Sequence, residues 1–96
     1  MSKTIWKFQL LVIGIQSIEM PENAEILCIQ IQNEDPYIWA LVEPENATIK
    51  RTFETYGTAQ PIKEISHRKR NFIGTYQIET NQIETNQLVF HCFELL

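Results

Sequence analysis

Imidazole and thiol chemistry in this chain is confined to two histidines, His67 and His91, and two cysteines, Cys28 and Cys92. His91 and Cys92 are adjacent, so in an extended strand they point to opposite faces and cannot work as a Cys/His dyad. Neither cysteine belongs to a CxxC pair or a Cys/His cluster, which leaves no spacing suited to zinc. His91 shares its strand face with Val89, Phe93 and Leu95, the setting of a structural histidine, and His67 stands in a basic loop. The acidic residues fall mostly in turns and on solvent faces. No catalytic residue, metal-ligand set or cofactor motif emerges, and the chain reads as a non-enzyme.

Charge placement is more informative. Residues 1–48 hold two basic and seven acidic side chains, whereas residues 49–96 hold six basic and five acidic, within a total of −4. The basic side chains of the second half are Lys50, Arg51, Lys63, Arg68, Lys69 and Arg70, and they bracket Tyr56-Gly57-Thr58-Ala59-Gln60-Pro61. Arginine offers a planar fork of donors, and successive amides at Gly57-Thr58 can form an anion-holding nest; Gly74-Thr75 reads as a second such turn. Arg51 alternates with Ile49 and Phe53 on an inward face, where an unpaired charge is costly. It therefore needs a partner, either an internal carboxylate or a bound anion, and is expected to face the Tyr56–Pro61 segment. Tyr56, Tyr76 and Trp39 supply rings for stacking on a flat ligand. The expected ligand-binding set is Arg51, Tyr56, Gly57, Thr58, Gln60, Gly74, Thr75, Tyr76 and His91.

Strands must position these groups. Thr4, Trp6, Phe8 and Leu10 alternate with Lys3, Ile5, Lys7 and Gln9, a period-two pattern. Further strands are expected over Gln16–Met20, Glu25–Gln32, Tyr37–Val42, Ile49–Tyr56, Phe72–Ile78 and Leu88–Leu95. In Glu25–Gln32, Leu27, Ile29 and Ile31 are expected on one face. Turns are marked by Pro21-Glu22-Asn23-Ala24, Asn33-Glu34-Asp35-Pro36 and Glu43-Pro44-Glu45-Asn46. Residues 62–71 form a basic loop expected to be mobile. Residues 77–87 form an extended hairpin tip carrying Gln77-Ile-Glu-Thr-Asn81 followed by Gln82-Ile-Glu-Thr-Asn86. No stretch carries a helical apolar stripe. The expected fold is a single all-β domain over residues 1–96, a small antiparallel sandwich or partly open barrel of about seven strands.

The chain's 96 residues leave no room for a second domain, and its 44% hydrophobic content supports a modest core. Two thiols without turn-rich flanks or a signal peptide suggest a reduced, cytoplasmic protein. The longest apolar run, Leu10–Ile15, is too short for a membrane span. The acidic balance, and the lack of an RNA-binding strand motif or helix-turn-helix, argue against polynucleotide and anionic membrane. Strands apolar on both faces, and open sheet edges, predict a homo-oligomer.

A set of phrases runs along the chain in order: Lys3-Thr4-Ile5-Trp6-Lys7-Phe8, Ile18-Glu19-Met20-Pro21, Ile29-Gln30-Ile31-Gln32-Asn33 and Trp39-Ala40-Leu41-Val42. Arg51-Thr52-Phe53, Tyr56-Gly57-Thr58 with Pro61, Ile73-Gly74-Thr75-Tyr76-Gln77 and Leu88-Val89-Phe90-His91 continue it. Over nearly the whole chain these resemble a family of short uncharacterised proteins of phages, prophages and bacteria, a domain of unknown function. The resemblance implies a small phage-associated β protein of the bacterial host's cytoplasm and brings no activity with it. The chain departs from it twice. Where the family usually reads Gly-Thr-Gly-His-Pro, this chain has Gly57-Thr58-Ala59-Gln60-Pro61, so that histidine is absent; and Ile78–Gln87 replaces a short Gly-containing turn.

The leading expectation is a non-enzymatic phage accessory protein that binds and sequesters a small anionic ligand, a cyclic or ADP-ribose-type nucleotide signal of bacterial immunity. The alternative is an anti-defence or regulatory protein acting by direct contact with a host protein.

Overall fold

Alternation decides where the strands run, and turn chemistry decides where they stop. The computed structural model describes residues 2–64, 67–79 and 88–96. It contains β1 (Thr4–Gln9), β2 (Ile15–Pro21), β3 (Glu25–Gln32), β4 (Asp35–Val42), β5 (Thr48–Gly57), β6 (Arg70–Ile78) and β7 (Leu88–Leu95). They form a three-stranded sheet, β1-β4-β3, and a four-stranded sheet, β2-β5-β7-β6, with antiparallel pairing throughout. The protein is all-β, with the two sheets not closed into a barrel, as in a small sandwich. Most of the tip with the duplicated pentapeptide lies outside the described residues.

The core lies between the sheets. Ile38, Ala40 and Val42 of β4 and Ile29 of β3 face Met20, Phe53, Tyr76 and Cys92 from the other sheet, all buried. Truncating a ring such as Phe53, which is wholly buried, typically costs about 3–5 kcal/mol. The sheets meet closely at β3 and β6, where Gly74 lies opposite Cys92, and a Cβ built on it would stand 3.7 Å from Ile29.

Three local readings are corrected. The turn expected over Asn33–Pro36 is shorter: Asp35 and Pro36 lie inside β4, Pro36 opposite Ile31, and the hairpin turns on Asn33 and Glu34 alone, with φ of 52° and 72°. Those paired positive values suit the type I′ geometry of a two-residue β-hairpin. Leu27 does not join Ile29 on the core face, because a register shift between Ile26 and Cys28 leaves it exposed. Gly74-Thr75 is not a turn but the middle of β6, just past a shift between Phe72 and Gly74.

The basic loop is tied at its described end. Arg68 Nε donates to the Leu96 carbonyl at 2.8 Å, the Lys69 carbonyl accepts from the Leu96 amide at 2.8 Å, and β6 begins at Arg70.

Candidate functional site

Sheet β2-β5-β7-β6 uses both of its faces. Along β7, Phe90, Cys92 and Glu94 pair with Gly57, Thr55 and Phe53 on the core side, so His91 and Phe93 necessarily point outward. Tyr56 and Thr75 lie opposite His91 on either side, and Glu54 and Phe72 lie opposite Phe93. The chain leaving β5 then folds over this outer face. Gln60 N donates to Gly57 O at 3.1 Å, and Ala59 takes φ 70°, a left-handed conformation awkward for alanine.

The result is a cavity of about 180 Å³ lined by Tyr56, Gly57, Thr58, Ala59, Gln60, Ile62, Phe72, His91 and Phe93. Phe93 is the centre of its aromatic wall, with Phe72 at 5.4 Å and Tyr56 at 6.2 Å, both edge to face. His91 is clasped on both nitrogens: Thr58 Oγ1 lies 2.8 Å from Nε2 and Thr75 Oγ1 lies 2.9 Å from Nδ1. Threonine hydroxyls can donate or accept, so they match either tautomer. Both ring nitrogens are thereby engaged by threonine hydroxyls.

An ion pair closes one side. Arg70 Nε meets Glu54 Oε1 at 2.6 Å, Arg70 Nη2 donates to the Lys63 carbonyl, and Tyr56 OH donates to Glu54 Oε2 at 2.9 Å. Burial pushes the Glu54 carboxyl up, but the Arg70 guanidinium and Tyr56 hydroxyl prevail and hold it below its ordinary value. The loop's carbonyl and the wall's tyrosine are thus fastened through one carboxylate.

The structure divides the expected ligand set. Tyr56, Gly57, Thr58, Gln60 and His91 meet at this cavity, and Thr75 reaches it through His91. Tyr76 is on the core face, its ring 5.7 Å from Phe90, and burial pushes the pKa of its hydroxyl up. Gly74 faces Ile29 across the core. Trp39 belongs to the other sheet, opposite Lys7 and Cys28.

Arg51 lies elsewhere too. Its Nε and Nη2 donate to Glu94 at 2.6 and 2.7 Å, and its Nη1 donates to the Ala24 carbonyl at 2.6 Å. Of the two partners open to it, the internal carboxylate is the one present. It lines a separate, wider depression with Lys50, Arg68 and Glu25.

Nor do the Gly57-Thr58 amides form a free nest. Gly57 N donates to Gln60 Oε1 at 2.9 Å and Thr58 N to Val89 O at 3.2 Å. The lining residues outside the expected set are Ala59, Ile62, Phe72 and Phe93, with Glu54 and Arg70 beside them. Phe93 was visible in principle, since it shares the face of His91.

Among the described residues, no group of three or more His, Cys, Asp or Glu side chains could hold a metal ion, and no helix is long and apolar enough to cross a membrane. A family model for a domain of unknown function, DUF7352, matches residues 1–96. The chain belongs to this family. No curated protein and no solved structure matches the DUF7352 chain.

Proposed function

We propose that this DUF7352 domain is a non-enzymatic binding protein that takes the flat ring of a small, nucleotide-type ligand into the outer-face cavity. The observation that carries this reading is the cavity's form: an aromatic wall of Tyr56, Phe93 and Phe72 facing the amide of Gln60 and the clasped His91. Its volume, about 180 Å³, is close to the ~150 Å³ of a cavity that accepts benzene and below the ~300 Å³ at which pockets take whole drug-sized molecules. One ring fits; sugar and phosphates would remain outside.

Charge plays the smaller part. Arg51 and Arg70 are committed to Glu94 and Glu54, so the exposed Lys63, Arg68 and Lys69 would attract an anionic ligand rather than grip it. Sequestration of a nucleotide immune signal by a phage protein in the host cytoplasm is the biological form of this proposal, and it rests on the resemblance to phage proteins.

Equilibrium dialysis against nucleosides, cyclic nucleotides and ADP-ribose tests it. One ligand should bind stoichiometrically and should be lost in Gln60→Ala with Phe72→Ala. If none across the panel binds, the reading fails. Action by contact with a host protein then stands ahead, favoured by exposed Leu11, Val12, Ile13 and Ile15 on a tip whose backbone is pinned by the Gln16 side chain.

A further inference from the structure

The four sheet edges are unequally protected against pairing. β3 and β6 carry register shifts, and β2 presents Glu19 and ends at Pro21. Bulges, charges and prolines are the usual devices that keep an edge from accepting another strand. β1 has no bulge and no proline, and its one charge, Lys7, is drawn back over its own sheet onto Gln32 and the Tyr37 ring. It pairs with β4 at six successive positions, and its other edge is unpaired among the described residues. Its side chains match. Trp6 shares the core-side face of Ala40 yet is 41% exposed, and Ile5 on the opposite face is 56% exposed. The Trp6 and Phe8 ring centroids lie 6.4 Å apart; Phe8 packs against the core cluster, and Trp6 extends that apolar strip into the open.

We infer that β1 is the contact for a second copy of this chain. Two β1 strands pair antiparallel about a two-fold axis at Trp6 and join the three-stranded sheets into one continuous sheet.

Symmetry and charge select that register. Residues directly opposite in an antiparallel pair must turn the same backbone edge to each other, so the axis passes through a residue. An axis at Lys7 opposes two lysines, and one at Ile5 opposes Lys3 to Lys7; like charges directly opposite are destabilising. Axes at Thr4, Phe8 or Gln9 run beyond an end of β1 and leave much of the strand uncovered. The axis at Trp6 sets Lys7 against Ile5, Lys3 against Gln9 and Thr4 against Phe8, with the two indoles at the centre. The strand also has no need of an acidic partner, since the Lys7 ammonium already bonds Gln32 and lies 4.7 Å from the Tyr37 ring. β1 belongs to the sheet that does not carry the ring cavity, so this interface stands whatever that cavity binds.

Analytical ultracentrifugation of the full chain should show a dimer at micromolar concentration. Trp6→Glu should weaken the dimer more than tenfold. A second measurement is independent of that variant's folding: Trp6→Cys in a Cys28→Ser background should form an interchain disulfide on mild oxidation, because Cα atoms opposite at the axis fall about 4.5–5.5 Å apart, within disulfide reach. Ile5→Cys, opposite Lys7, should not. A wild-type chain that stays monomeric throughout, or a dimer that cross-links at Ile5 and not at Trp6, overturns the inference.

Discussion

Replacing Arg51 with alanine should destabilise the domain by about 3 kcal/mol. The side chains of Arg51 and Glu94 are only 19% and 7% exposed, and the pair is held by two short, parallel bonds. Removing one partner of a buried ion pair leaves the other charge desolvated and unmatched, which typically costs about 3–5 kcal/mol. The lower end applies because the guanidinium retains some contact with water. The Ala24 carbonyl loses its donor as well, although solvent entering beside the truncated side chain can replace it. In a domain of this size the loss corresponds to a fall in Tm of roughly 12–24 °C. Urea unfolding followed by circular dichroism, at fixed protomer concentration, measures it. The double replacement Arg51→Met with Glu94→Leu should recover most of the loss, since the desolvated acid is then gone. A single-variant effect under about 1 kcal/mol, or a double variant no better than the single, would refute this account of the pair.

Ala59→Gly should stabilise the fold by about 0.5–1 kcal/mol in the same urea titration, because glycine adopts φ 70° without the penalty alanine bears. Glu54 is held below its ordinary value near 4.5, so its ionised form adds stability that is full above that pH and is lost as pH falls through the lower, folded value. Acid unfolding profiles should show this slope, and Glu54→Gln should flatten it. Burial pushes the Cys92 thiol up to about 12, so at pH 8 iodoacetamide should leave it unmodified in the folded protein and alkylate it after unfolding, as mass spectrometry can score.

The strands were legible because alternation is a local property. Thr4–Leu10 and Leu88–Leu95 announce their faces without any knowledge of their neighbours, and the all-β architecture follows from such segments. Features set by pairing were not legible. The shift between Phe72 and Gly74 places Gly74 inside a strand, although Gly-Thr by itself reads as a turn. Pro36 is tolerated in β4 because the hairpin turns at Asn33-Glu34, where two non-glycine residues take positive φ. The inward position of Arg51 implies a partner, but Glu94 lies 43 residues away and becomes its neighbour only through the β5–β7 register. Half of the candidate site was recoverable in the same way: His91 implies Phe93 by alternation, whereas Phe72 enters through cross-strand pairing alone.

The double use of β7 couples the cavity to the core. Phe90, Cys92 and Glu94 serve the core while His91 and Phe93, between them, serve the cavity, so a change of backbone at either face displaces the other. The loop side of the cavity is free of that coupling. Thr58 and Gln60 are exposed and lie past the end of β5, and their side chains bond His91 and the Gly57 amide without entering the core cluster. The two halves of the cavity are therefore built differently: the strands provide a rigid apolar surface, and the loop supplies polar groups that can be replaced while the Phe93 wall stays intact. If the cavity takes a ring as proposed, substitutions at Thr58 and Gln60 should change which ring is accepted and leave the domain folded.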